Sequence, residues 1–354
     1  MKTRVKREKK TVRRDTYGAV GIVTYVFCLI FRIPLLYLIG EKGIACFSMA
    51  NELYLFTGCL LAGGLSEATA ALVRYRMKRE QYASAQKVLK GGLILGAVTG
   101  GIFSAVFFLA GQAYAEAVAG MPLAGLCINM MAPALVFQTL TGVIKGYFQG
   151  NGSRVPAIHS RILETVFLFA GGILGAVLLH GYGKKVSALL QNEDYAAAYG
   201  AFGACAGILT AAVLCFLHML FLLLIFLRNR KRQSGRELQN GHDKGFHIAH
   251  MLLGTAVPYS LLAVVFQTLP FFDGIFFQQF SRASAEKAVL WGNYYGKYLV
   301  ITGILWGILA LTNLEPVRKI GVLVDREEYR SAREKLGSVI HQGALFQALP
   351  QIDT

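Results

Sequence analysis

Long apolar stretches alternate with short charged segments along this chain of 354 residues. The stretches approach or exceed about 20 residues, the length that a helix needs to cross the hydrocarbon core of a bilayer. They lack the period-two alternation of barrel strands, and backbone amides in lipid need hydrogen-bond partners within their own segment. The pattern therefore predicts eight spanning helices, at 17–39, 44–72, 91–114, 122–144, 156–180, 197–227, 250–280 and 288–313.

Composition agrees with this pattern. Hydrophobic residues make up 55% of the chain and charged residues only 16%. A water-soluble domain needs a more polar surface than this composition can supply. The fold class that we expect is therefore an all-α polytopic membrane protein, and a soluble enzyme is excluded.

The net charge of +16 is concentrated in alternate connections. Lys and Arg gather in the tail before the first span and in every second connection after it: 1–16, 74–90, 145–154, 228–244 and 318–335. This alternation follows the positive-inside rule and places both termini in the cytoplasm. We interpret the basic tail as a topology signal that contacts anionic lipid headgroups, and not as a nucleic-acid-binding segment.

Cofactor chemistry has little support in the sequence. All six cysteines fall inside predicted spans without metal-ligand spacing, and we interpret them as small packing residues. His247 and His250 have a suggestive spacing but lack a third ligand, so no metal site is predicted. Because no P-loop, nucleophile elbow or metalloprotease helix occurs, we expect a protein that is not an enzyme and needs no cofactor.

Two basic connections share a short sequence. Arg79–Leu89 and Arg326–Leu336 begin alike and follow the second span of each half, which is typical of a parallel internal repeat of six-helix bundles. The predicted segments are a basic tail (1–16), a first lobe of six helices (17–227), a basic linker (228–249) and the first two helices of a second lobe with an amphipathic segment (250–354). A complete second half would end near residue ~490. We interpret the chain as a truncated longer gene product, with a natural half-size protein that dimerises as the alternative.

Several segments together resemble one family. They are Phe31-Arg32-Ile33-Pro34-Leu35, Lys145-Gly146-Tyr147-Phe148-Gln149-Gly150 followed by Val155-Pro156-Ala157, Ser160-Arg161-Ile162-Leu163-Glu164, and Leu269-Pro270 with Asp273. In this order they resemble the multidrug/oligosaccharidyl-lipid/polysaccharide (MOP) exporter superfamily, in the branch of stage V sporulation protein B and MurJ-type flippases. The resemblance implies two six-helix lobes around a cavity that opens alternately to each side, and a lipid-linked sugar as cargo.

Charged residues inside spans are candidates for the site, because each costs at least about 2.5 kcal/mol at a helix centre unless it is paired or hydrated. Arg32 precedes Pro34, and its guanidinium group can donate two parallel hydrogen bonds to a pyrophosphate. The resemblance implies a cavity-facing arginine in span one, and Arg32 is the position that matches. The alternative is that Arg32 reaches outward to the lipid headgroups. The candidate cavity residues are Arg32, Glu52, Lys145, Glu164, Asp273 and Lys297.

The pairing of these residues stays open at the sequence level. Arg161 and Glu164 are three residues apart and could satisfy each other, which is the account that we favour. Asp273 could pair with Arg32 or with Lys297, or it could be neutral and linked to proton or Na⁺ coupling. Three tyrosines beside Lys297 are interpreted as routine interface anchors: Tyr294, Tyr295 and Tyr298.

The expected function is translocation of a lipid-linked oligosaccharide, or of a peptidoglycan or polysaccharide precursor, across the cell membrane by alternating access. The expected partners are an undecaprenyl-pyrophosphate type of substrate and membrane lipids. One alternative is a drug or organic-cation exporter of the same superfamily, which would require carboxylates and aromatic rings in place of arginine. The other is a truncated protein that does not transport.

Overall fold

The computed structural model describes residues 19–231, 245–280 and 287–312, and all of its regular structure in these ranges is helical. The helices are α1 (19–30), α2 (Arg32–Gly58), α3 (Gly64–Lys78), α4 (Tyr82–Ala117), α5 (Ala124–Gly150), α6 (Val155–Leu190), α7 (Asp194–Lys231), α8 (Gly245–Phe280), α9 (Lys287–Asn293) and α10 (Leu299–Thr312). Two π-helical turns, Cys59–Gly63 and Tyr294–Tyr298, join α2 to α3 and α9 to α10.

The chain divides into two compact units, and the first is Phe27–Ile301. The second combines Met1–Val26 with Thr302–Thr354, of which the structure describes 19–26 and 302–312. Within this second unit, a Cβ added to Gly307 would lie 2.6 Å from the Val26 side chain. The absence of a side chain at Gly307 therefore allows close approach of the two segments.

The helix α2 folds back on itself at Gly40. Its backbone there has φ 70° and ψ 177°, a conformation that is essentially restricted to glycine. Arg32 and Glu52 would be about 30 Å apart along a straight helix, yet their side chains are in contact at 3.4 Å. The long helical stretch Ala19–Lys78 therefore contains both the first and the second predicted spans.

Within the described ranges, six helices are long and apolar enough to cross a membrane. The first of them contains the sharp bend at Gly40. The predicted spans 91–114, 122–144, 156–180, 197–227 and 250–280 each lie inside one of the remaining five helices or overlap it. The eighth predicted span, 288–313, is divided by the π-helical turn Tyr294–Tyr298. An all-α polytopic membrane fold is thus confirmed.

One element differs from the sequence expectation. The internal repeat predicts that Arg79–Leu89 is an amphipathic helix along the cytoplasmic face. Instead, α3 ends at Lys78, a short turn with Glu80 at φ 59° follows, and Tyr82 begins an unbroken helix that continues through the third span. The basic residues of this segment extend the spanning helix beyond the apolar part. The matching segment Arg326–Leu336 lies outside the described residues.

Two buried clusters form the core of the larger unit. One contains residues from most of α2 and from the first halves of α5 and α7, and includes Leu35, Ile128 and Cys205. The other lies at the opposite ends of α5 and α7, where α3, α4 and α8 also contribute, and includes Val73, Tyr147 and Leu223. The helices are thus packed along most of their length, and the candidate residues lie between or beside these clusters.

The hairpin of α6 and α7 is held together by glycines. A Cβ on Gly175 would collide with the carbonyl oxygen of Gly203, and one on Gly203 would collide with the carbonyl oxygen of Gly175. Glycines at such positions let two helix backbones touch, which is the main source of helix association in lipid.

Candidate functional site

Arg32 and Glu52 form an ion pair across the fold in α2. The Nη2 atom of Arg32 lies 3.4 Å from Oε1 of Glu52, and the two side chains are only 11% and 9% exposed. The fold at Gly40 produces this contact, because it brings residues 20 positions apart onto facing segments. The Arg32 side chain is therefore directed inward and does not reach toward the headgroups.

Neutral donors hold Glu52 more closely than Arg32 does. Gln267 of α8 donates to Oε2 of Glu52 at 2.7 Å, and the hydroxyl of Tyr295 donates to Oε1 at 2.9 Å. The same hydroxyl accepts a hydrogen bond from Asn51 at 3.1 Å. Glu52 thus connects α2 with α8 and with the second π-helical turn.

The ring of Tyr295 also contacts Arg32. The guanidinium carbon lies 3.8 Å from the centre of the ring, within the range of a cation–π interaction. The Nη1 atom of Arg32 is buried and has no hydrogen-bond partner among the described residues. One face and one nitrogen of the guanidinium group are therefore engaged, and a second nitrogen remains available to a ligand.

A second buried hydrogen bond attaches α9 to α2. The indole nitrogen of Trp291 donates to the hydroxyl of Ser48 at 2.7 Å, and both side chains are buried. Trp291 also packs against Phe277, Tyr294 and Tyr295, with ring centres 5.2 to 6.3 Å apart. These contacts fix the turn that carries Tyr295 against the segment that carries Glu52.

Lys145 and Glu164 form a separate pair between α5 and α6. The Nζ atom of Lys145 lies 3.4 Å from Oε2 of Glu164, and both side chains are partly buried. The favoured pairing of Arg161 with Glu164 was wrong, because Arg161 is exposed and makes no ion pair with Glu164 in the described part of the chain. The packing of α5 against α6 places Lys145 closer to the Glu164 carboxylate than Arg161 is, although Arg161 lies on the same helix as Glu164.

The remaining two candidates lie in less enclosed places. Asp273 is exposed and accepts a hydrogen bond from the Tyr294 hydroxyl at 3.1 Å. Lys297 is half exposed and lies 3.6 Å from a carboxylate oxygen of Glu41. The suggested pairing of Asp273 with Arg32 or Lys297 is therefore not the arrangement among the described residues. The six candidates are brought together as two buried or half-buried pairs and two more exposed contacts.

A cavity of about 670 Å³ lies elsewhere, between α4 and α5. Its lining is mostly apolar, and none of the six candidate residues contributes to it: Gly101, Ser104, Ala105, Phe108, Leu109, Asn129, Met130, Ala132 and Pro133. It opens on a strongly apolar face of α4, where Leu109 is 82% exposed. The cavity is therefore an apolar crevice that is separate from the charged site.

Sequence reasoning missed the neutral residues that complete the charged pair. Gln267 and Asn51 are uncharged and so are not among the candidate cavity residues. The sequence pattern predicts that Tyr295 is an interface anchor. That interpretation was wrong for Tyr295, which is 1% exposed and contacts both charges. The available signal was polarity within apolar spans: the adjacent pair Asn51-Glu52 and the isolated Gln267 both needed partners there.

Comparison with curated proteins finds two relatives in Bacillus subtilis strain 168. The chain is 23% identical to stage V sporulation protein B over 293 residues, which cover 83% of this chain and 53% of that protein. It is 25% identical to lipid II flippase MurJ over 194 residues, which cover 51% of this chain and 35% of the relative. The chain thus spans about half or less of the length of these relatives. No protein-family model matches it.

Solved structures with the same fold are MATE transporters. An inward-facing structure of a multidrug resistance MATE family transporter of the MOP superfamily aligns with a TM-score of 0.60 and 14% identity, over 86% of this chain and 63% of that one. A MATE structure in complex with Br-NRF aligns with a TM-score of 0.55 and 15% identity, over 89% and 73% of the two chains. The chain is thus a multi-pass membrane protein that is similar in sequence to stage V sporulation protein B and lipid II flippase MurJ and shares its fold with MATE transporters of the MOP superfamily.

Proposed function

We propose that this protein translocates a lipid-linked oligosaccharide, or a peptidoglycan or polysaccharide precursor, across the cytoplasmic membrane by alternating access. The observation that carries the proposal is Arg32, a permanently charged group enclosed among spanning helices with a buried Nη1 atom that has no partner in the described structure. An arginine among spanning helices is costly unless it is paired or hydrated, and Glu52 engages only the Nη2 atom of Arg32, so Nη1 needs a further partner.

The chemistry of Arg32 suits a pyrophosphate linkage. Guanidinium donates two parallel hydrogen bonds to phosphate oxygens and stays charged at any physiological pH. The lipid carriers of cell-envelope sugars join lipid to sugar through phosphate or pyrophosphate, so the anion would accompany every cargo of this class. The relative named as a lipid II flippase supports the same substrate class.

Export of organic cations is a second candidate, supported by a different observation. Asp273 is an exposed carboxylate on a face of α8 with a row of phenylalanine rings at Phe272, Phe276 and Phe280. Carboxylates and aromatic rings are the groups that attract organic cations. The MATE fold is compatible with this alternative.

Translocation assays in proteoliposomes test the proposal. A fluorescent lipid with a pyrophosphate-linked sugar is reconstituted with the protein, and the fraction that reaches the opposite leaflet is measured. Arg32→Ala is expected to abolish translocation, and Arg32→Lys is expected to reduce it several-fold, because lysine retains the charge but loses the paired donors. Both variants should reach the membrane at parental levels.

Arg161→Lys is the matched control, since Arg161 is an exposed arginine on a spanning helix. It should translocate at the parental rate. If Arg32→Lys equals the parent, Arg32 does not hold the headgroup. If the parent moves a quaternary ammonium dye but no lipid-linked sugar, and Asp273→Asn abolishes that movement, the cation exporter is the better account. A parent that moves neither probe would contradict transport by this chain alone.

A further inference from the structure

Glu52 occupies the position on Arg32 where a substrate anion would bind. Its Oε1 atom lies 3.4 Å from Nη2, the nitrogen that would form one of two parallel hydrogen bonds to a phosphate group. In the arrangement that the structure shows, the two opposite charges cancel, and Arg32 presents little net charge to a ligand. Substrate binding at Arg32 therefore requires that the contact with Glu52 be broken.

The geometry indicates that this contact is weak on the Arg32 side. A strong charge-assisted hydrogen bond between nitrogen and a carboxylate measures about 2.7 to 2.9 Å, and an arginine commonly donates two such bonds to one carboxylate. Here the single contact is 3.4 Å, while Gln267 and Tyr295 donate to Glu52 at 2.7 and 2.9 Å. Glu52 keeps two good donors when Arg32 moves away.

We infer that Glu52 is a displaceable internal counter-ion, which neutralises Arg32 in the absence of substrate and is replaced there by the phosphate or pyrophosphate group of the ligand. Gln267 and Tyr295 are positioning residues that hold the displaced carboxylate in place. This inference rests on the proposed function, and it adds a residue that sets the affinity and charge selectivity of the site. A ligand must compete with a carboxylate, so a more highly charged group is expected to bind more tightly than a less highly charged one.

Binding of farnesyl pyrophosphate to the purified full-length chain in lipid nanodiscs tests the inference. Glu52→Gln removes the competing charge and preserves the shape of the side chain, so the Kd is expected to fall about tenfold. Gln267→Leu changes no charge but deprives the displaced carboxylate of a donor, so the Kd is expected to rise several-fold. Farnesyl phosphate carries less charge than farnesyl pyrophosphate, so its Kd for the parent should be higher. Glu52→Gln should reduce the ratio of these two Kd values.

The opposite directions separate this role from a structural one. If Glu52 only holds the helices together, both variants should weaken binding, and that result would overturn the inference. Asp194→Asn is the matched control, because Asp194 pairs with Lys42 at 2.6 Å on the surface; its Kd should match that of the parent. Melting temperatures measured in the same nanodiscs show whether each variant is folded. If Glu52→Gln does not fold, Glu52→Asp decides: the shorter side chain withdraws the carboxylate from Arg32, so the Kd is expected to fall, whereas a structural role predicts that it rises.

Arg32→Gln distinguishes the inference from the proposed function. If Arg32→Gln abolishes binding while Glu52→Gln equals the parent or weakens binding, the counter-ion inference fails and the anion site stands. If Arg32→Gln binds as well as the parent, or if the parent does not bind farnesyl pyrophosphate at all, the proposed function itself is contradicted.

Discussion

Tyr295 contacts both charges of the Arg32–Glu52 pair, through its ring on one side and its hydroxyl on the other. The hydroxyl also accepts the hydrogen bond of Asn51, so it completes a chain from Asn51 to Glu52. Because the residue is buried, no water can replace this hydroxyl without rearrangement.

Tyr295→Phe removes only that hydroxyl and leaves the ring beneath Arg32. We expect the variant to be less stable by about 1 to 3 kcal/mol, since the amide of Asn51 loses a buried acceptor and Glu52 loses a donor. Chemical denaturation in detergent, followed by far-UV circular dichroism, measures the change. Tyr37→Phe is the control, because Tyr37 is 86% exposed and should show no loss. Equal stability of both variants would contradict the role assigned to the hydroxyl.

Individual residues were the least predictable from the sequence. The charges in the spans could be identified by their cost in lipid, but their partners could not, because hydropathy does not state which faces of two helices meet. Glu164 is an example: a neighbour one turn away on the same helix, Arg161, was the nearest choice in sequence, and Lys145 on α5 is the observed partner. Tyr295 shows the same limit, since a tyrosine in a span end is usually an interfacial anchor.

The paired helices α6 and α7 depend on backbone contact more than on side chains. Gly203→Ala places a methyl group against the backbone of Gly175, where no side-chain rotation can relieve the collision. The helices must separate, and we expect a loss of about 1 to 3 kcal/mol. Thermal aggregation in detergent should begin at a lower temperature for this variant.

Gly181→Ala provides the control on the same helix hairpin, since nothing lies within 4 Å of a Cβ at that position. It should be as stable as the parent or slightly more so, because alanine favours the helix. Loss of stability in both variants would show that helix flexibility, and not close packing, requires glycine there.

Elements were far more predictable than residues, for a physical reason. A spanning segment must be apolar for about 20 residues, so five of the predicted spans, from 91–114 to 250–280, correspond to single helices. The sequence could not show where a helix continues into water. Arg79–Leu89 looked like a separate amphipathic helix, but Tyr82 begins a helix of 36 residues that includes both its polar and its apolar parts.

At the scale of the whole molecule, the distribution of basic residues predicts that both termini are cytoplasmic. Reporter fusions after Glu116, at the end of α4, and after Asn151, at the end of α5, test this orientation. We expect the first to report the outer side and the second the cytoplasm, because one spanning helix separates them. Signals from the same side would contradict the topology. The predicted repeat remains a prediction, since Arg326–Leu336 lies outside the described residues.

The tryptophan content has an optical consequence. The chain has only two tryptophans, and Trp291 is buried against Ser48 whereas Trp306 is 57% exposed. In a Trp306→Phe background, the fluorescence of the protein comes from one indole that touches α2 and lies beside Tyr295. Emission that shifts to longer wavelength when ligand is added would mean that water has reached this indole, and unchanged emission would mean that α2 and α9 stay packed. The protein therefore contains an intrinsic spectroscopic reporter of its charged site, and changes at that site can be followed without any attached label.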